Sequence, residues 1–143
     1  MKRILLSTDE KIKEWAHTFL RMMFGVLLIP NGWDMLTHFS SYAATFADPL
    51  GIGSTTSLTL VILAQLVCSA SVAIGFFTRL NAVPIIIAFL VAAFLVHAKD
   101  PYPVKQPALL YLVLSIYFAI AGPGLYSVDN LMLRSRNKQS SAR

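Results

Sequence analysis

A small set of polar side chains sits within or at the ends of otherwise apolar stretches, and their spacing decides what chemistry the chain can do. Asn31, Asp34 and His38 are three and four residues apart, so a helix brings them to one face. His97 ends a later apolar stretch at a similar height, and Gln65 lies deeper within another. If Asp34, Gln65 and His97 converge, with Trp33 and Tyr102 as aromatic walls, they make a site for a lipid-soluble quinone. A planar head group with two carbonyls needs donors at opposite edges, and its reduction needs a proton from an imidazole or a carboxylic acid. The competing reading is interfacial, because polar residues are ordinary where a helix leaves a membrane.

A second group lies at the opposite end. His17, Arg21 and Gly25 are spaced by four and share one helical face. A charge held in hydrocarbon costs about 3 kcal/mol on insertion scales, so Arg21 needs a reason to be there. Either it reaches back to the head groups or it has an internal partner, for which Asp129 is the candidate. Arg79 and Asp129 fall on the same side, and Arg21, Arg79 and Asp129 are expected to form a structural polar network. No residue is assigned a catalytic role. Two outer histidines without a further carboxylate or thiol at ligand spacing do not make a metal site. There is no phosphate-cradling glycine loop, nucleophile elbow or zinc signature. The single cysteine, Cys68, excludes an intramolecular disulfide and a Cys-x-x-Cys redox pair.

The elements that must position these groups are four apolar stretches, over about residues 15–36, 57–77, 80–98 and 107–121. About twenty residues are needed to cross a hydrocarbon core about 30 Å thick. The composition agrees: 56% hydrophobic, only 13% charged, mean hydropathy +0.63. A soluble domain carries about 25% charged residues. The expected fold is therefore all-α, an integral membrane four-helix bundle over 15–133. It follows a segment 1–14 and precedes a basic tail 134–143 that is expected to be disordered.

The formal charge of +5 does not point to nucleic acid, because the placement of the basic residues is a topology signal. Lys2, Arg3, Lys11, Lys13, Arg79, Arg134, Arg136, Lys138 and Arg143 fall on one side, against Lys99 and Lys105 on the other. By the positive-inside rule both termini are cytoplasmic. The lipid bilayer is the first partner, with anionic head groups a secondary one. The first segment does not read as a cleavable signal, since Asp9, Glu10 and Glu14 dilute its charge. Ser7 and Glu10 fit a capping box for a short surface helix leading into Trp15.

Pro30-Asn31-Gly32 predicts a break in the first span. Thr78-Arg79 predicts a tight antiparallel turn. The outer link 38–56 is expected to hold a short surface helix around Tyr42 and Phe46, ended by Asp48-Pro49 and Gly51-Ile52-Gly53. The link 99–106 is expected to be a loop. Ala64, Cys68 and Ser71 offer a small-residue face for packing within the chain or in a dimer, and the oligomeric state is left open.

Over about residues 17–133 the chain resembles the DoxX-like family of small four-helix bacterial membrane proteins. The residues that carry the resemblance are Arg21 with Gly25, then Asn31-Gly32, Gly51-Ile52-Gly53, Gly75-Phe76-Phe77-Thr78-Arg79 and His97. The most specific stretch is Gly122-Pro123-Gly124-Leu125-Tyr126-Ser127-Val128-Asp129. The resemblance implies a location in the bacterial cytoplasmic (inner) membrane. It also implies a link to thiol or thiosulfate oxidation and quinone reduction, with Arg21, Arg79, His97 and Asp129 as framework residues. Glutamates that the family often carries in the second span and at the start of the fourth are replaced here by Gln65 and Gln106. That removes two proton carriers. Two functions are therefore expected to compete. One is a quinone-linked oxidoreductase subunit fed by a membrane or soluble redox partner, with quinone as its cofactor. The other is a non-catalytic membrane scaffold or stress-associated partner subunit. A small transporter or lipid-binding protein is a weaker third, for want of an internal repeat.

Overall fold

A computed structural model describes residues 9–140, and within them every regular element is helical. Helix α1 spans Glu10–Thr37. Asp9 caps it, its carboxylate accepting the Lys11 N–H at 3.0 Å, and Glu10 in the first turn suits the positive end of the helix dipole. Ser7 lies outside the described residues. The expected short surface helix is not separate: α1 runs without interruption from Glu10 through Trp15.

The helix also passes Pro30. Proline removes one N–H donor, yet the turn is held from outside because Gly32 is buried against the backbone of the next long helix. A Cβ at Gly32 would lie 3.0 Å from the Leu66 nitrogen. Packing at Gly32 thus overrides the break expected from local propensity.

Helix α2, Phe39–Thr45, is the short helix expected in the 38–56 link. Helix α3 covers Ser54–Ile74, α4 Thr78–Val96 and α5 Tyr102–Ala121, and these three are long and apolar enough to cross a membrane. Both α3 and α4 widen into a π-helical turn, at Leu63–Cys68 and Ala92–Val96. In the second, the His97 N–H reaches back five residues to the Ala92 carbonyl.

The turn between α3 and α4 is at residues 75–77, not at Thr78-Arg79, which already belong to α4. Gly75 takes φ +76°, its N–H bonds the Val72 carbonyl, and the Phe76 N–H bonds that of Ser71. Those are the two hydrogen bonds of a Schellman cap, whose left-handed position favours glycine. Helix α5 starts five residues before the expected Pro107. Pro101 caps it and Pro103 sits in its first turn, where N–H groups have no intrahelical acceptor and proline costs nothing. Helix α6 covers Val128–Ser140, so the tail expected to be disordered beyond Leu133 is helical that far. Asp129 opens this helix and its basic residues come later, the order that the helix dipole favours.

Helix α1 packs along α3, α4 packs along α5, and α3 joins the two pairs through α4. Helices α1 and α5 stand further apart and meet through their side chains, whereas α1 and α4 are not closely paired and lie on a diagonal. The core is a column of Phe24, Leu28, Val72, Ile85, Phe89 and Phe118. Phe24 meets Phe118 at 5.2 Å between ring centroids, and Phe89 stacks on Tyr111 at 5.1 Å. Outside this column large apolar side chains face outward: Phe19, Val113 and Ile120 are 65%, 63% and 74% exposed. Such a surface is stable only against lipid or protein.

The 38–56 link is tied by Asp48, whose carboxylate accepts N–H bonds from Gly53 at 2.7 Å and Ile52 at 3.1 Å, and the Ser57 hydroxyl at 3.0 Å. The Gly53 bond is the chief reason that Asp48 is held below the ordinary carboxylate range; desolvation opposes it. A carboxyl depressed in the folded state stabilises fully above its unfolded value, and the benefit fades as pH falls through the native one. Asp48→Asn should therefore melt below the wild type near neutrality, with the gap closing as pH falls from about 5 towards 2. A gap that stays constant over a pH series of thermal melts would mean that Asp48 does not hold this loop as a carboxylate.

Candidate functional site

The densest polar site lies where α1 crosses the segment that follows α5. Glu14, His17 and Arg21 occupy one face of α1, three and four residues apart, and all point at residues 122–126. The Glu14 carboxylate accepts the Leu125 N–H at 2.9 Å. His17 sits with Nε2 at 3.1 Å from the Gly122 carbonyl and Nδ1 at 2.9 Å from the Tyr117 hydroxyl. A single neutral tautomer serves both, donating from Nε2 and accepting at Nδ1. The Arg21 guanidinium, only 2% exposed, donates from Nη1 to the Pro123 carbonyl and from Nη2 to that of Tyr126 at 2.8 Å. Arg79 adds a bond from Nη2 to the Ile120 carbonyl at 3.3 Å.

One cause explains this clustering. The last carbonyls of a helix have no intrahelical donor and carry partial negative charge, so basic side chains gather at a C-terminus. The carbonyls at and just beyond the end of α5 are met by Arg79, His17 and Arg21 in turn. The glycines of this region make the approach possible. A Cβ on Gly75 would collide with the Arg21 guanidinium and lie 2.6 Å from the Ser127 Cβ. One on Gly124 would lie 2.7 Å from His17 Cδ2, and one on Gly122 3.0 Å from Arg79 Nε.

The polar network expected of Arg21, Arg79 and Asp129 is therefore built differently. Neither arginine pairs with Asp129 among the described residues. Asp129 accepts the Phe77 N–H at 3.0 Å, and its own N–H bonds the Gly75 carbonyl at 3.1 Å, a reciprocal clasp between α6 and the α3–α4 turn. Ser127 caps α6, accepting the Asn130 N–H at 3.2 Å and donating to the Gly124 carbonyl at 2.7 Å. The expected ion pair gives way to backbone partners because α5 and the turn present unsatisfied carbonyl and N–H groups closer at hand.

At the other end the candidate quinone residues are divided. Asp34 accepts the Tyr42 hydroxyl at 2.7 Å and lies 3.1 Å from His38 Nδ1. The bond to Asp34 raises the Tyr42 hydroxyl above its ordinary value. His97 Nδ1 is 2.6 Å from an Asp100 carboxylate oxygen. Gln65 is buried in the π-helical turn of α3, and its Oε1 has no partner. Trp33 and Tyr102 are exposed, at 58% and 66%. No hydrogen bond joins these five residues among those described, and the reason is topological: Asp34 and His97 sit on α1 and α4, the diagonal pair. Of the actual partners, Tyr42 was marked in the sequence only as part of the short helix in the 38–56 link, and Asp100 was not marked. Asp100 had a signal, three residues after His97 at a helix end; Tyr42 had none, because it reaches Asp34 only by the turn into α2. No cluster of three or more metal-ligating side chains occurs among the described residues.

Comparison with known proteins places this geometry. The inner membrane protein YqjF of Escherichia coli (strain K12) is 30% identical over 129 residues, covering 86% of this chain and 96% of that protein. No solved structure matches the chain. The DoxX family model matches residues 16–98, which include Arg21, Gly25, the Gly75 turn, Arg79 and His97. The chain belongs to the DoxX family.

Proposed function

We propose that the protein is a four-span inner-membrane subunit with both termini cytoplasmic, acting as a non-catalytic scaffold for a membrane or soluble partner. The observation that carries this reading is the Arg21 cradle. Arg21, His17 and Arg79 are spent on backbone carbonyls at and beyond the end of α5, an arrangement that fixes helices rather than presenting a reactive group. Support for α1 as the fourth span comes from its outward Phe19, Met22, Val26 and Leu27. Trp15 and Trp33, exposed near its two ends, are about 27 Å apart along the helix axis, close to the thickness between two interfacial aromatic belts. Both termini on the cytoplasmic side follows from the distribution of lysine and arginine.

The second reading is a quinone-linked redox subunit coupled to thiol or thiosulfate oxidation through a partner. Its favouring observation is Gln65, whose buried Oε1 lacks a donor that a quinol hydroxyl could supply. Organic extraction and mass analysis of the gently purified protein separate the two. For the scaffold, only bulk lipid is recovered, and His97→Ala and Asp34→Asn leave the sample unchanged. Stoichiometric quinone, lost in His97→Ala but kept in Arg79→Ala, would overturn the scaffold reading in favour of the redox one.

A further inference from the structure

A cleft of about 480 Å³ opens at the α6 end of the bundle, between the end of α3, the 125–127 segment and one face of α6. Its walls are Ile74, Leu125, Tyr126, Val128 and Leu131, and at its rim stands Arg134. Val128, Leu131 and Arg134 are three residues apart, so α6 turns two apolar side chains and then a cation to the same side. Among the described residues that line it, Arg134 carries the one charge at neutral pH and none is a carboxylate. Ile74, Leu125 and Leu131 are exposed, so the floor of the cleft is apolar surface left uncovered by the chain itself.

We infer that this cleft holds one anionic phospholipid of the adjoining leaflet, its phosphate on Arg134 and the upper part of an acyl chain along Ile74, Leu125 and Leu131. The charge pattern selects this occupant. A zwitterionic lipid brings its own cation to the rim beside Arg134, whereas an anionic one brings only negative charge. A peptide would need partners for its backbone N–H and C=O groups, and most of the lining is hydrocarbon. The geometry also suits depth. Helix α6 leaves the bundle immediately after the Arg21 cradle, at the end where Trp15 packs against Tyr126 with ring centroids 5.0 Å apart and tilted by 33°, an aromatic pair of the kind that marks an interface. The bound lipid therefore pins α6 to the membrane surface. The inference rests on the bundle's spanning a bilayer and not on whether it performs redox chemistry.

The test uses the full chain in nanodiscs of equal phosphatidylglycerol and phosphatidylcholine with matched acyl chains. After transfer to mild detergent, retained lipids are counted by native mass spectrometry. Phosphatidylglycerol is expected to be retained preferentially. The preference should fall about fivefold in Arg134→Gln, the effect of one basic group at an anionic surface. Lys11→Gln, which removes a cation outside the cleft, should leave it unchanged. Leu131→Asn should lower retention of both lipids, and inorganic phosphate should not displace either. Equal retention of the two lipids, an unchanged preference in Arg134→Gln, or complete displacement by phosphate would each overturn the assignment. Arg134 is exposed, so Arg134→Gln should keep the wild-type melting profile by circular dichroism. Quinone content is read in a separate extraction that Arg134→Gln does not affect, so this inference and the scaffold reading fail independently.

Discussion

Replacing Arg21 by alanine is expected to destabilise the bundle by about 3–5 kcal/mol, the largest effect of any single side-chain truncation in the chain. Two contributions add. The carbonyls of Pro123 and Tyr126 lose their donor inside the protein, each at about 1–3 kcal/mol. A buried side chain of large volume also disappears and leaves a cavity that the surrounding helices fill only in part. Lysine is expected to recover less than half of the loss, because one ammonium on a flexible stem cannot span two carbonyls as the planar guanidinium does. Arg79→Ala is the matched control: Arg79 is exposed and makes one long carbonyl bond, so about 1 kcal/mol or less is expected. Reversible unfolding in mixed micelles measures all three. If Arg21→Ala and Arg79→Ala cost the same, Arg21 is only a snorkelling residue and the cradle does not hold the bundle.

The second large effect belongs to a residue with no side chain at all. Gly25 lies where α1 crosses α3. A Cβ there would strike the Ser69 carbonyl oxygen, with the Ala73 Cβ at 2.6 Å and the Ala73 nitrogen at 3.0 Å. Gly25→Leu must therefore push α1 off α3, and a cost of about 3 kcal/mol or more is expected, at the upper end for overpacking. Small residues at helix crossings serve this purpose in lipid, where close backbone approach supplies the attraction. Combining Gly25→Ala with Ala73→Gly should recover part of the single-mutant loss, since one of the two collisions is relieved. Leu27→Ala, two residues away and facing outward, should be nearly silent. Thermal melts of these variants give the answer, and a Gly25→Leu protein as stable as Leu27→Ala would mean that α1 and α3 do not meet there.

The two effects describe one design. Gly25 and Gly32 bring α1 against α3, and that crossing delivers Glu14, His17 and Arg21 to the end of α5. Sequence spacing was enough to put His17, Arg21 and Gly25 on one helical face. The resemblance to the DoxX-like family marked residues 122–129 as the most specific stretch. It could not show that the stretch acts through its backbone, because a carbonyl looks the same at every position. Residue types drew attention to Asp129 as the partner for an arginine, when the donor it meets is the Phe77 N–H and the acceptors Arg21 meets belong to Pro123 and Tyr126. The same limit applied to the small-residue face. Ala64, Cys68 and Ser71 were singled out by size; Ala64 is buried in the core and Cys68 packs against it, while the close approach at Gly25 uses Ser69 and Ala73, which the rotation of α3 about its axis selects.

The outer end shows the limit from the other side. Asp34, Gln65 and His97 share a general depth by simple counting of residues, and depth is what a hydropathy pattern determines. Whether groups at one depth meet depends on which helices are neighbours, and α1 and α4 lie across the diagonal. Asp34 takes Tyr42 and His38 and His97 takes Asp100, each from its own neighbourhood, while Gln65 Oε1 meets no partner among the described residues. By itself the sequence determined an all-helical chain with apolar stretches suited to lipid, the side on which basic residues collect, and the stretches that mark the DoxX family. The first two follow from transfer free energies and steric rules that act residue by residue, and the last from likeness to a known family. Only the tertiary structure decided that Pro30 is carried inside a helix, that Arg21 is held by carbonyls, and that the polar groups at the Asp34 end stay apart. Those outcomes depend on distances between segments far apart in the chain, which helix packing sets.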